Sequence, residues 1–139
     1  MRVRRQLLFA ASEARRGYFL LPEEGNVEVL LTPAECALFR LFLAHPEGIT
    51  TENIARYKKE LQSIYAKESI FDEPARQDAV VESMCAESKK AFYTLVSRIK
   101  RKFVNKIGAK RADRYVIKRT KDGVYRTKPY LIQRTASSK

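Results

Sequence analysis

One histidine, two cysteines and five glycines are scattered through the 139 residues of this chain, and each scarcity closes off a class of function. Cys36 and Cys85 lie far apart, with no Cys-x-x-Cys pair and no histidine cluster beside them. Neither a disulfide framework nor a metal site is expected, and both read as small core residues in a reducing cytoplasm. His45, next to Pro46, reads as a structural residue at a helix end with no chemical role. The glycines make no phosphate-cradling loop, and no nucleophile elbow or metal-ligand spacing occurs, so neither an enzyme nor a cofactor is expected. Long apolar runs are missing too; none approaches the ~20 residues that span a bilayer. The apolar stretch after the basic start Met1–Gln6 breaks at Ser12 and Glu13, too soon for a signal-peptide core. A cytoplasmic protein without a membrane partner is the expectation.

Acidic residues are lacking in one region only. Residues 89–139 hold 17 Lys/Arg against 2 Asp/Glu, while residues 1–88 hold 11 against 14. The overall charge of +12 is therefore segregated, which points to a polyanion lying across one surface. The segregation is sharpest in Ser88–Gly108, where no acidic residue occurs before Arg111 is passed. There Phe92, Leu95, Val96, Ile99, Phe103 and Ile107 keep the spacing of one buried helical stripe. The opposite face carries Lys90, Thr94, Ser97, Arg98, Lys100, Arg101, Lys102 and Asn105. Ser88 is the expected N-cap and Gly108 the expected stop. A helix of about five turns, apolar on one side and basic on the other, has the build of a recognition helix.

Before it, Gln6–Ala10, Gly17–Leu21 and Val27–Leu31 read as strands of a small antiparallel sheet, with Pro22-Glu23-Glu24-Gly25-Asn26 as a turn. Thr32, Pro33 and Glu35 spell a capping box for a helix that runs to about Ala44 and buries Ala37, Leu38, Leu41 and Phe42. Thr50 or Thr51 caps a second helix that buries Ile54, Tyr57, Leu61, Ile64 and Tyr65. Asp72-Glu73-Pro74 interrupts the helical pattern, and Gln77–Cys85 reads as a short acidic helix around Ala79, Val80 and Met84. After the basic helix, Tyr115–Arg119 and Val124–Thr127 flank a Lys121-Asp122-Gly123 turn and read as a hairpin, Asp-Gly being a strong two-residue turn signal. Its alternating positions are basic: Lys118, Arg119, Lys121, Arg126 and Lys128.

This order predicts an α+β fold, a winged helix-turn-helix with an N-terminal antiparallel sheet, three main helices and a C-terminal β-hairpin wing. One domain is expected over residues 1–132: sheet 5–31, helical core 32–108, an enlarged connection at about 66–88 and wing 113–128. Residues 133–139 read as a flexible tail. Three stretches also resemble a known family, the OmpR/PhoB-type effector domains of response regulators. Leu31-Thr32-Pro33-Ala34-Glu35 is similar to the family's L-T-P-x-E. Leu43–Gly48 followed by Thr51–Ile54 is similar to L-x-x-H-P-G and S-R-E-x-L. Val96–Phe103 resembles I-S-R-L-R-R-K-L by chemical type at each position. Departures are visible as well. The wing reads Thr120-Lys121-Asp122-Gly123-Val124-Tyr125 and lacks the family's two-glycine turn; Leu95 stands where a histidine is common. No receiver domain precedes the effector-like segment, so no phosphorylation switch is expected within this sequence.

The functional expectation is sequence-specific binding of double-stranded DNA by a transcriptional regulator, with helix 88–108 in the major groove and hairpin 115–127 as wing. Candidate contacts on the helix are Lys90, Thr94, Ser97, Arg98, Lys100 and Arg101, where arginine forks suit guanine or phosphate and hydroxyls suit phosphate or a base edge. Candidate wing contacts are Arg119, Lys121 and Arg126, basic side chains suited to phosphates or a narrow minor groove. The resemblance implies DNA contact at Ser97, Arg98 and Lys100. It also leaves RNA polymerase, a separate sensory protein and a second copy on DNA as candidate partners. A protein-interaction module and a structured-RNA binder, each using the same basic face, stay open beside it; Tyr93 and Tyr125 keep base stacking in play.

Overall fold

The computed structural model describes residues 18–69 and 73–127. The expected strand Gln6–Ala10, Lys128 and the 133–139 tail lie outside those residues.

Thr32 sets the frame. Its amide donates to the Glu35 carboxylate at 3.0 Å and its hydroxyl accepts from the Glu35 amide at 3.4 Å. With Pro33 in the first turn, this reciprocal box opens α1 (Pro33–Ala44) where the sequence predicts it. Cys36, Ala37, Leu38, Phe39, Leu41, Phe42 and Leu43 are all buried, so α1 is apolar around nearly its whole girth and forms the centre of the core. Each of the leucine and phenylalanine side chains contributes about 1.5–3 kcal/mol on burial.

Against α1 lies a two-stranded antiparallel sheet, β1 (Tyr18–Leu21) and β2 (Val27–Leu30), in register from Tyr18↔Leu30 to Leu21↔Val27. The turn between them places Gly25 and Asn26 at φ 79° and 62°, a left-handed pair that those residue types tolerate. Phe19, Leu21, Val29 and Leu31 face the core, and Phe19 meets Phe39 edge-on at 5.2 Å. Leu30 points the other way and is 48% exposed.

Beyond α1, Thr50 and Asn53 exchange side-chain and backbone hydrogen bonds of 2.9 and 3.0 Å. That exchange starts a 3-10 turn, Ile54–Tyr57, which runs into α2 (Lys58–Glu68); Ile54, Leu61 and Tyr65 are buried. The helical pattern is interrupted before Pro74, as expected, and the next helix, α3 (Pro74–Cys85), starts three residues ahead of the expected Gln77, with Pro74 suited to a first turn where no amide needs a partner. It buries Val81 and Met84 against α2 and α4, while Ala79 stays exposed. The helices therefore number four among the described residues, and most of the 66–88 connection is an ordered helix.

α4 (Lys90–Ala112) is the longest element. Its N-cap is Lys89 in the left-handed conformation (φ 60°), not Ser88, whose hydroxyl lies 3.5 Å from the Lys90 amide. Gly108 (φ 85°, ψ 159°) interrupts the helix as predicted, in a region of backbone space nearly reserved for glycine, but one further turn follows to Ala112.

That turn reshapes the start of the hairpin. The Tyr115 and Val116 amides both donate to the Ala112 carbonyl, so they are unavailable for strand pairing. The expected strand from Tyr115 shrinks to β3 (Lys118–Arg119), paired antiparallel with β4 (Tyr125–Arg126). Tyr115 instead stacks on Phe103 at 5.9 Å. Lys121 and Asp122 occupy the centre of the turn closed by Gly123 N to Thr120 O at 2.9 Å, with Gly123 left-handed (φ 82°). The Lys121-Asp122-Gly123 turn therefore stands where expected, as a loop between Thr120 and Val124 with the glycine in its left-handed position. Among the described residues no helix is long and apolar enough to cross a membrane.

Candidate nucleic-acid interface

The buried stripe of α4 is Phe92, Leu95, Ile99 and Phe103, with Val96 and Ile107 half-buried beside it, as the spacing predicts. Fixing that stripe against α1, α3 and β2 leaves the opposite face in solvent. Lys90, Thr94, Ser97 and Arg101 then fall in one exposed row, since residues three and four apart share a helical face. Arg98 lies on the flank toward β2, and Lys100 on the other flank, two turns beyond Tyr93. Among the described residues, the side chains of Lys90, Arg98, Lys100 and Arg101 form no hydrogen bond or ion pair. Lys102 is different. It turns inward and donates to the buried Glu35 carboxylate at 2.7 Å, which joins α4 to the capping box of α1.

The hairpin is docked at the N-terminal end of this face. Tyr125 meets the Phe92 ring edge-on at 5.1 Å and lies 6.5 Å from Tyr93. Burial pushes the Tyr125 phenol up, with Tyr93 adding to the shift. The Ile49 and Tyr125 backbones exchange two 2.9 Å hydrogen bonds, so the hairpin is also tied to the segment after α1. Gly48 makes that approach possible. At its φ of 96°, a Cβ would stand 2.3 Å from Val124 Cγ1 and 2.8 Å from Arg126 Cγ.

Of the wing candidates, Arg119 and Lys121 are exposed and unpaired among the described residues. Arg126 is not available in the same way. Its Nε donates to the Glu47 carbonyl at 3.2 Å, Nη1 to the Thr120 hydroxyl at 2.7 Å, and Nη2 to Asp122 at 3.4 Å. It braces the hairpin tip from within. The Thr120 hydroxyl, the Val124 amide and then Arg126 hold the Asp122 carboxyl down at about 2. Lys118, counted among the basic wing residues, pairs with Asp113 at 2.9 Å.

Sequence reasoning missed the neighbours that set these roles. Glu24, whose side chain is 3% exposed, accepts from the Tyr115 hydroxyl at 2.9 Å and lies 3.7 Å from Arg111, which tethers the end of α4 to the β1–β2 turn. The Tyr115 phenol is pushed up by burial and by Glu24. Between β2 and α4 opens a cleft of about 450 Å³, with Leu30 on its floor and Arg98, Arg101 and Lys106 on its rim. No local pattern reveals a cleft between segments so far apart in the chain. His45, given no role from the sequence, is held by both ring nitrogens: Nε2 to Glu60 at 2.8 Å and Nδ1 to Glu47 at 3.2 Å. Burial pulls its pKa down, but the two carboxylates outweigh it and leave the pKa raised. No disulfide joins Cys36 and Cys85. Among the described residues no group of three or more His, Cys, Asp or Glu is arranged to hold a metal ion.

Protein-family models, curated proteins and solved structures were all compared with the chain, and none matches. The family resemblance therefore rests on its three short stretches alone.

Proposed function

We propose that the protein binds double-stranded DNA sequence-specifically as a transcriptional regulator, through a winged helix-turn-helix of the OmpR/PhoB type. α3 and α4, joined by residues 86–89, are then the helix-turn-helix, and β3–β4 is the wing. The observation that carries this reading is the row of exposed cations on α4 that have no partner among the described residues, in a segment without acidic residues. Elsewhere lysines and arginines pair with Glu35, Glu68, Glu82, Asp113 and Asp122. A polyanion is the partner that such a row fits. Arg98 and Arg101 supply forks for guanine or phosphate, Thr94 and Ser97 short donors, and Lys90, Lys100, Arg119 and Lys121 phosphate contacts. Arg126 holds the wing in place. Catalysis has no part in this reading, and RNA polymerase, a sensory protein or a second copy on DNA are its further partners.

The test is selection of binding sites from random duplex DNA near physiological salt, beside an Arg98→Ala/Arg101→Ala variant. A defined motif that the variant loses is the expected result. Equal weak binding by both proteins, with no motif, would overturn the reading. The cleft over Leu30 is the one feature that favours a second reading, a protein-interaction module receiving an acidic partner on the same face.

A further inference from the structure

Tyr93 is one of two large apolar side chains left exposed among the described residues, at 49%. It sits in the first turns of α4, between Lys90 and Ser97 in helical spacing and on the flank that faces the wing. An aromatic ring open to solvent forgoes the burial that places most tyrosines at least partly inside. Nor is the ring loosely held. It meets Phe92 at 5.8 Å and Tyr125 at 6.5 Å, so its position is fixed by one core ring and one wing ring.

The neighbours define what it suits. Lys90, Thr94, Ser97, Arg98 and Arg101 offer charged or hydroxyl donors, and Tyr93 alone presents a broad apolar surface among them. On the edges of the bases in a major groove, acceptors and donors abound, but only one group is apolar: the 5-methyl of thymine. Resting on the DNA reading above, we infer that Tyr93 is a specificity-determining residue, whose ring covers the 5-methyl group of a thymine next to the wing-side end of the recognition helix. Arg98 and Arg101 then read or clamp the opposite flank and the C-terminal half of the same row. The tyrosine adds a base preference that the basic residues do not supply.

The experiment replaces thymine by uracil, one position at a time, in the selected duplex, which removes the methyl and leaves every hydrogen-bonding group. Full-length wild-type protein and Tyr93→Phe should both lose about fourfold in affinity at one and the same thymine, the loss for uncovering one methyl-sized group. Tyr93→Gln, which keeps a good helix former at an exposed site, should bind the thymine and uracil duplexes equally at that position. Uracil sensitivity unchanged in Tyr93→Gln, or absent from the wild type, would overturn the inference while leaving DNA binding intact. Failure of the wild type to select any motif would remove the DNA reading itself, and the inference with it.

Discussion

Arg101 and Lys102 are consecutive on α4, both basic, and they do opposite work. Lys102 reaches 67 residues back along the chain to the buried Glu35 and closes an ion pair inside the fold. Arg101 points into solvent with no partner among the described residues, beside Arg98 in the same condition. The hairpin repeats the contrast: Arg126 is held by Glu47, Thr120 and Asp122, whereas the Arg119 and Lys121 side chains have no partner among the described residues. Total charge does not separate these groups, but the location of their counterions does. Cations with an internal partner hold the structure, and cations without one are those available to an outside polyanion.

The hardest blow to the internal side is Gly48→Ala. The added Cβ would overlap Val124 Cγ1, at 2.3 Å, on a backbone with φ of 96°. A destabilisation of about 3 kcal/mol is expected, measured by urea unfolding, with affinity for the proposed DNA site falling too because the hairpin shifts. Next, Lys102→Ala removes the counterion of the buried Glu35 carboxylate and leaves it the Thr32 amide. About 2 kcal/mol should be lost, below the usual figure for a buried pair because the lysine is partly open to solvent. Arg101→Ala in the same assay should change stability by no more than about 0.5 kcal/mol. Equal losses at the two positions would erase the comparison.

A smaller effect tests the remaining internal histidine. The two carboxylates raise the folded-state pKa of His45 above its ordinary 6.5, so its contribution is complete below that pH. It is lost as the pH rises through the folded value. Wild type should therefore lose stability relative to His45→Gln as the pH rises above the ordinary 6.5, in paired unfolding curves at fixed ionic strength. A parallel pH dependence would mean that neither Glu47 nor Glu60 holds the ring in solution.

What could be read from the sequence divides along the same line. The capping box at Thr32 and Glu35, the apolar stripe from Phe92 to Phe103 and the break at Gly108 are local patterns, and local physics decides them. Helix α3 was legible but for its first turn: Pro74 marks both the break after α2 and the start of the next helix, three residues ahead of Gln77. Strand β3 fell short because the turn after Gly108 captured the Tyr115 and Val116 amides first. The exposure of Lys90, Thr94, Ser97, Arg98, Lys100 and Arg101 was legible, since one helix face can be read from spacing. Roles set by distant partners were not, because Arg126 depends on Glu47, 79 residues away, and Tyr115 on Glu24, 91 away.

The division between paired and unpaired cations is tested most directly by the salt dependence of DNA affinity on the selected site. With six to eight phosphates neutralised, the wild-type slope of log K against log salt should be about −5 to −7. Arg98→Ala/Arg101→Ala should flatten it by about 2 if both side chains meet phosphate, or by less, with loss of the motif, where they read bases. A slope and a motif both unchanged in that variant would contradict the account.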